Sequence, residues 1–378
     1  MMAQLLFERA EYAERLARLR AAMTAARVDY ALFDEIEAMS WLSGYGNSEN
    51  RWRCVFVPLQ GEPFFLIRAL DAEPCRQRTW IERIAVFRDW EDPTLALAEE
   101  VRAQSFPPGR VGLDFGSYGT SLRRFEQLRA ALPGWDFADV GAIVAELRLI
   151  KSPAEIALLR RASAVCDAAM LRAADACRPG ANLRAAARAA MDAFMEGGAD
   201  PSAPGPISAG RGWDFLHGHL TDTPLAPGDV AHIELTPRVS GYSARIMRCV
   251  SIGSPAAELE AASRTLVALQ DRQIAAMRPG ARARDVDAIL REGVIGSGLR
   301  ESYDNITGYT LGLYAPATPR TSDFTRILHP QADWAFEPGM VMHVYASARG
   351  VSISETVLVG ANGPERLTQL PRTLIVHS

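Results

Sequence analysis

The chain lacks several features that would narrow its function at once. No apolar run approaches the roughly 18 residues that a membrane span needs, so no membrane partner is expected. The first residues, Met1 to Arg9, show no signal-peptide pattern, which points to the cytoplasm. There is no CxxC pair, and the five cysteines (Cys54, Cys75, Cys166, Cys177, Cys249) are scattered and odd in number. That argues against a zinc knuckle or a disulfide framework, and for reduced structural thiols in a cytoplasmic protein. A basic excess is also missing. The net charge is −4 and no basic stripe is present, which argues against a nucleic-acid partner. What remains is an ordinary globular composition, 48% hydrophobic and 23% charged, in 378 residues, a length suited to two domains.

The first 148 residues alternate short apolar runs with helical patterns. Residues 8–27 read as a surface helix with Leu16, Leu19, Met23 and Ala26 on one stripe. A strand is expected at Tyr30–Phe33. A hairpin is expected from Val55–Pro58 and Phe64–Ile67 around Gln60-Gly61. Further apolar runs lie at Ile84–Phe87 and Val111–Asp114, with helical patterns at 94–104 and 121–131. This alternation predicts a small α/β domain over residues 1–148. The second domain, 149–378, opens on a helix start. Ser152 is placed to cap it, Pro153 is its first residue, and Glu155 can complete a capping box. Ile156, Leu159, Cys166 and Met170 share a face with the small Ser163, and Arg178-Pro179-Gly180 stops the helix.

Repetition is the strongest signal in this second domain. Arg178-Pro179-Gly180-Ala181 recurs as Arg278-Pro279-Gly280-Ala281, each between Ala-rich amphipathic helices. Leu225 to Glu234 is echoed by Phe336 to Tyr345, and Gly241 to Val250 by Gly350 to Val359. Three echoes in one order imply two similar α+β halves about a pseudo-two-fold axis, with a cleft between their sheets. Two long copies do not make a solenoid.

Alternation along a strand then sorts the side chains. His232 and Glu234 share a face in the first half, and His343 and Tyr345 share the equivalent face in the second. Arg245 and Ser354 are equivalent by the third echo, with Glu355 beside Ser354. If these faces line one cleft, it holds carboxylates, histidines, tyrosines and an arginine.

The pattern resembles the creatinase/aminopeptidase P/prolidase ("pita-bread") superfamily over essentially the whole chain. "PGDVAHIEL" and "GYSARIMR" look like the strands that bring the family's two metal aspartates. "TGYTLGL" looks like the segment with the metal histidine. "EPGMVMHVYA" and "VSISETVLVG" look like those with the two metal glutamates. The five ligand positions here read Glu234, Arg245, Tyr309, Tyr345 and Ser354, so the resemblance implies the fold but no metal and no other cofactor. Within the superfamily the chain is more similar to the metal-independent creatinase and ectoine hydrolase. The resemblance to ectoine hydrolase is the closer of the two, and it lies in Glu234, in Thr307 to Leu313, in His343, in Glu355 and in the tail from Pro371-Arg372.

That resemblance implies a C–N hydrolase acting on a small polar molecule that carries a carboxylate and an amidine, guanidine or cyclic amide. His217 matches the catalytic histidine, with His219 as its alternative, and would carry a proton. Glu234 and Glu355 would activate water and stabilise a cationic group. Arg245, Tyr309, Tyr345, His343 and His232 would bind or orient substrate. Trp213, beside Asp214, would line the pocket. Trp52, in the stretch from Glu49 to Arg53, would reach the partner's site in a homodimer. Blander readings stay open: Glu234 and Arg245 as a structural ion pair, the tyrosines and histidines as core residues, Trp52 as part of a solvated loop or strand edge. Two other functions stay open as well, an Xaa-Pro dipeptidase with an unusual ligand set and a non-catalytic binding module.

Overall fold

The computed structural model describes residues 4–46, 51–141, 143–212, 216–315 and 324–377. The chain divides into two compact units that meet between Arg148 and Leu149.

The first unit is α/β. Its strands are β1 (Tyr30–Phe33), β2 (Cys54–Pro58), β3 (Phe64–Arg68), β4 (Arg83–Phe87), β5 (Arg110–Leu113) and β6 (Asp136–Asp139). Its helices are α1 (Arg9–Ala26), α2 (Ile36–Ser43), α3 (Ala72–Arg78), α4 (Pro93–Ala103), α5 (Leu122–Ala131) and α6 (Ile143–Leu147). The strands form one sheet in the order β4-β3-β2-β1-β5-β6. β2 runs antiparallel to both neighbours, and the remaining pairs are parallel. The aromatic core of this sheet includes Tyr30, Trp52, Phe56, Phe64 and Phe87.

Helix α1 forms where periodicity places it, but its buried stripe differs from the expected one. Tyr12, Arg15, Leu19 and Met23 are buried, whereas Leu16 is half-buried and Ala26 exposed. Arg15 can be buried because its guanidinium is provided for. It donates to the Trp41 carbonyl at 2.7 Å and lies over the rings of Phe7 and Trp41 at 4.4 and 4.9 Å.

The second unit is α+β and visibly duplicated. Its helices are α7 (Pro153–Asp175), α8 (Leu183–Glu196), α9 (Ala257–Ala276) and α10 (Ala283–Gly296). Its strands are β7 (Ile207–Gly210), β8 (Val230–Leu235), β9 (Arg238–Val239), β10 (Tyr242–Ser243), β11 (Ile246–Ile252), β12 (Gly308–Thr310), β13 (Ile327–Leu328), β14 (Val341–Ala348), β15 (Val351–Gly360), β16 (Gly363–Arg366) and β17 (Ile375–His377). The capping box forms at the start of α7. Ser152 Oγ accepts from the Glu155 N–H at 3.2 Å, and Glu155 accepts from the Ser152 N–H at 2.9 Å. Leu159, Ser163, Cys166 and Met170 are fully buried on its inner face.

The large sheet runs β13-β12-β14-β15-β11-β8-β7, so β15 and β11 lie at its centre and the two halves continue outward from them. Matching turns show the duplication at backbone level. Gly180 and Gly280 have φ +79° and +82°, and their N–H groups donate to Leu225 and Phe336 carbonyls at 2.8 and 2.9 Å. Only glycine takes that left-handed conformation without strain. On the helix side of the sheet, Val344, Val357 and Val359 pack with Ile274 and Met277, while Ala346 and Ile353 pack with Leu266 and Leu269 of α9. The other face carries His232, Glu234, His343 and Tyr345.

Candidate active site

Strand register builds the site. Glu234 on β8 pairs with Met247 on β11, which pairs with Ser354 on β15, which pairs with Tyr345 on β14. In the next rung, Thr356 pairs with His343, and His343 with Tyr309 on β12. Arg245 joins that rung just before β11. Its N–H donates to Thr356 Oγ1 at 2.8 Å, and the same hydroxyl donates back to the Arg245 carbonyl at 2.9 Å. Side chains two apart share a face, so Glu234, Arg245, Tyr309, His343, Tyr345 and Ser354 stand together on the face away from the core. Gly205, at φ +125°, lets its loop run against this floor, since a Cβ there would lie 2.3 Å from the Glu234 carbonyl.

Arg245 is the hub. It is buried, donates to the Tyr309 hydroxyl at 2.5 Å, and lies 3.7 Å from Glu234 Oε1. Its guanidinium also lies over the rings of Tyr309 and Tyr314, at 5.3 and 5.7 Å. Burial alone would depress its pKa, but Tyr309 and Glu234 outweigh that, so it stays protonated. Tyr309 stacks on Phe324 at 4.4 Å and meets His343 edge-on at 5.0 Å.

Burial dominates the acid–base character of the site. It pushes the Glu234 carboxyl above its usual range, and Arg245 and His217 pull it back only in part. It holds the tyrosine hydroxyls of 309 and 345 in their neutral form. It drives His343 well below the ordinary imidazole value, with Arg245 adding to the effect. It lowers His232 to about 4, where Nδ1 shares a 2.5 Å hydrogen bond with Ser352 Oγ. His217 is exposed on its loop, yet its charge acts on both Glu234 and His232. That influence puts His217 near Glu234 and His232.

Several buried polar atoms have no hydrogen-bond partner among the described residues. They are spread over both units, and four of them stand on this face: both ring nitrogens of His343, Arg245 Nε and Ser354 Oγ. Buried polar groups usually find partners, so four unpartnered atoms gathered on one face make it a candidate seat for a polar ligand.

Two of the expected site residues stand elsewhere. Glu355 does not join this face. It follows Ser354, so its side chain points the other way, and Ile353 on the same side packs in the core. There it is tied to Arg248 at 2.7 Å, accepts from the Thr368 hydroxyl, and lies 3.7 and 3.9 Å from Arg366 and Arg372. Trp52 is also occupied within its own unit. It is buried in the aromatic core, its Nε1 donates to Asp34 Oδ2 at 2.8 Å, and Arg124 lies over its ring at 5.1 Å. Ser117 and Thr120 hold the same Asp34 carboxylate. Glu49, Trp213 and Asp214 lie outside the described residues. The sequence reading passed over Ser352 and Thr356, and named Ser354 only as a lost ligand position. The same i, i+2 rule applied to β15 would have collected all three and set Glu355 apart.

Solved structures share this frame. The Xaa-Pro dipeptidase from Bacillus anthracis superposes with a TM-score of 0.82 over 97% of this chain and 99% of its own, at 21% identity, a likeness of fold. The sequence model of the creatinase/prolidase N-terminal domain matches residues 15–150, and that of metallopeptidase family M24 matches residues 157–361, over half the chain. The chain belongs to family M24. Among its relatives in the family, ectoine hydrolase of Halomonas elongata is 28% identical, with 98% of both sequences covered. The Xaa-Pro dipeptidase of Pyrococcus horikoshii is 27% identical over 66% of this chain and 71% of its own. Both relatives are named as hydrolases, and family M24 is a family of hydrolytic enzymes.

The family name implies a metal, and the donor set here does not fit one. Of the five ligand positions that the resemblance picks out, one is a carboxylate, Glu234. Another holds a permanent cation 3.7 Å from it. The tyrosines keep their protons, and a neutral serine hydroxyl is a poor ligand. Among the described residues no group of three or more His, Cys, Asp or Glu side chains gathers as a metal site. Nor does any described helix have the length and apolarity to cross a membrane.

Proposed function

We propose that this member of family M24 is a metal-independent hydrolase. It would cleave a C–N bond in a small polar molecule bearing a carboxylate and an amidine, guanidine or cyclic amide, with ectoine as the leading candidate. The observation that carries this reading is Arg245, whose guanidinium stands 3.7 Å from Glu234 and 2.5 Å from the Tyr309 hydroxyl where the family resemblance expects a metal ligand. A fixed cation suits binding of a substrate carboxylate and opposes a divalent ion. Full-length similarity to ectoine hydrolase supports the substrate class.

In this reading Glu234, its carboxyl raised by burial, takes a proton from water as the water adds to the amidine carbon. The C–N bond then breaks, and His217 delivers a proton to the departing nitrogen. Arg245 and Tyr309 orient the substrate, and Tyr345 and His343 border it. Glu355 has no part in the chemistry. All five cysteines are free and buried, in keeping with a reducing cytoplasm, and the family resemblance supports a homodimer.

The test is incubation with ectoine, hydroxyectoine, creatine and Xaa-Pro dipeptides, each with and without chelator, followed by mass spectrometry. Addition of one water to a cyclic amidine or guanidine, unaffected by chelator, is expected. Chelator-sensitive dipeptide cleavage would instead make the protein a metallopeptidase, and no cleavage of any substrate would favour a binding module.

A further inference from the structure

Ser354 lies at the centre of the polar floor. Its strand neighbours on that face are Met247 on one side and Tyr345 on the other, and Thr356, two residues on, anchors the backbone of Arg245. Adjacent strands lie about 4.8 Å apart and successive rungs on one face about 6.6 Å, so a ligand seated over Ser354 can reach side chains of both rungs. Ser354 is fully buried, yet its hydroxyl has no hydrogen-bond partner among the described residues. The same holds for Arg245 Nε and for both nitrogens of His343.

These orphans differ in what they need. An arginine Nε–H only donates, and a serine hydroxyl donates and accepts. Together they suit an acceptor with several lone pairs, which a carboxylate supplies. A neutral imidazole presents one donor and one acceptor. Burial and the neighbouring Arg245 hold His343 neutral, so one of its ring nitrogens asks for an N–H from the ligand. Glu234 does not meet this need within the protein: it lies 3.7 Å from Arg245 Nη1, and both Arg245 Nε and Ser354 Oγ stay without a partner among the described residues.

We propose that Ser354 is a specificity-determining residue that receives the substrate's carboxylate together with Arg245 Nε, while His343 receives an adjacent N–H of the same small molecule. The inference rests on the hydrolase reading above and deepens it, because it assigns each end of the substrate to named atoms. It also gives the serine a purpose. A longer acidic side chain at position 354 would fill the carboxylate's seat and pair with Arg245 itself.

The experiment is calorimetric binding of two matched ligand pairs, with hydrolysis assayed separately. One pair is ectoine and the methyl-tetrahydropyrimidine ring that lacks its carboxylate. The other is creatine and dimethylguanidine. The wild-type protein is expected to prefer a carboxylate-bearing member by about tenfold or more, the scale of one charge-assisted hydrogen bond. Ser354→Ala is expected to lose most of that preference while binding the carboxylate-free partner within about twofold of wild type. Ser354→Cys, which keeps the shape and weakens the donor, should fall between them and serves if the alanine variant does not fold. Ser354→Glu should abolish the preference. Wild-type protein without carboxylate preference, carboxylates that fail to bind, or an unchanged preference in Ser354→Ala and Ser354→Cys would each overturn the inference. Carboxylate preference without hydrolysis would leave this assignment standing and remove the hydrolase reading. Hydrolysis of ectoine with kcat/KM indifferent to Ser354 would do the reverse.

Discussion

The central strands of the second unit carry an arginine–glutamate pair on each face, and the two pairs are unlike. On the helix side, Arg248 and Glu355 are 2.7 Å apart, and each is further provided for. Arg248 donates to the carbonyls of Ser354, Leu370 and Pro371, and Glu355 accepts from Thr368. On the other side, Arg245 and Glu234 are 3.7 Å apart, Arg245 Nε has no partner among the described residues, and neither have Ser354 Oγ and His343. A buried charge is tolerated when its hydrogen-bonding capacity is met. The first pair meets that condition within the protein and pins the tail against the sheet. The second leaves it open, which is what a binding site requires.

Mutation can break that comparison. The largest effect is expected on the satisfied side. Glu355→Ala leaves Arg248 buried and uncompensated, and should cost about 3–5 kcal/mol in urea unfolding while the folded fraction keeps its activity. A variant of normal stability and no turnover would restore Glu355 to the catalytic set. On the open side the effects should fall on function. His217→Ala, on an exposed loop, should lower kcat about a hundredfold with little change in melting temperature. Full activity would remove His217 from the mechanism. Arg245→Lys keeps the charge but loses the planar fork, and should raise KM for carboxylate substrates about tenfold with kcat less affected. An equal effect on carboxylate-free ligands would mean that Arg245 only supports Glu234.

The smallest effect concerns pH and sharpens the contrast. His232 is held neutral in the fold, with its pKa lowered from 6.5 to about 4 by burial and by His217. Between those values the unfolded chain binds more protons than the folded one. Its contribution to stability is therefore full above 6.5 and is lost as pH falls toward 4. Thermal melts across that window should show the acid decline, and His232→Asn should flatten part of it. A decline identical in the variant would assign it to other groups.

Much of the fold was legible where a local signal existed. Tyr30–Phe33 is read and found with the same bounds, and the Ser152–Glu155 capping box forms as its spacing predicts. The echoes around Gly180 and Gly280 reappear as matching left-handed turns. Short helices escaped. α2 has no side-chain cap at Glu35 and only eight residues, too few for periodicity to show, and α3 carries Pro74, which reads as a breaker. Within the site, alternation found His232 with Glu234 and His343 with Tyr345. Glu355, brought into the set by the family resemblance, stands on the opposite face from Ser354, because neighbours on a strand point to opposite faces. The setting of Trp52 was not readable at all. Its partner Asp34 is shared with Ser117 and Thr120, a meeting made only by the folded sheet.

The central claim is that a fixed cation has taken the place of a metal ligand. Its most direct test is equilibrium dialysis of the purified protein against Mn(II), Co(II) and Zn(II), with elemental analysis and hydrolysis measured on the same samples. The account predicts no stoichiometric metal and no change in rate. One or two ions bound per chain, with activity that follows their occupancy, would contradict it.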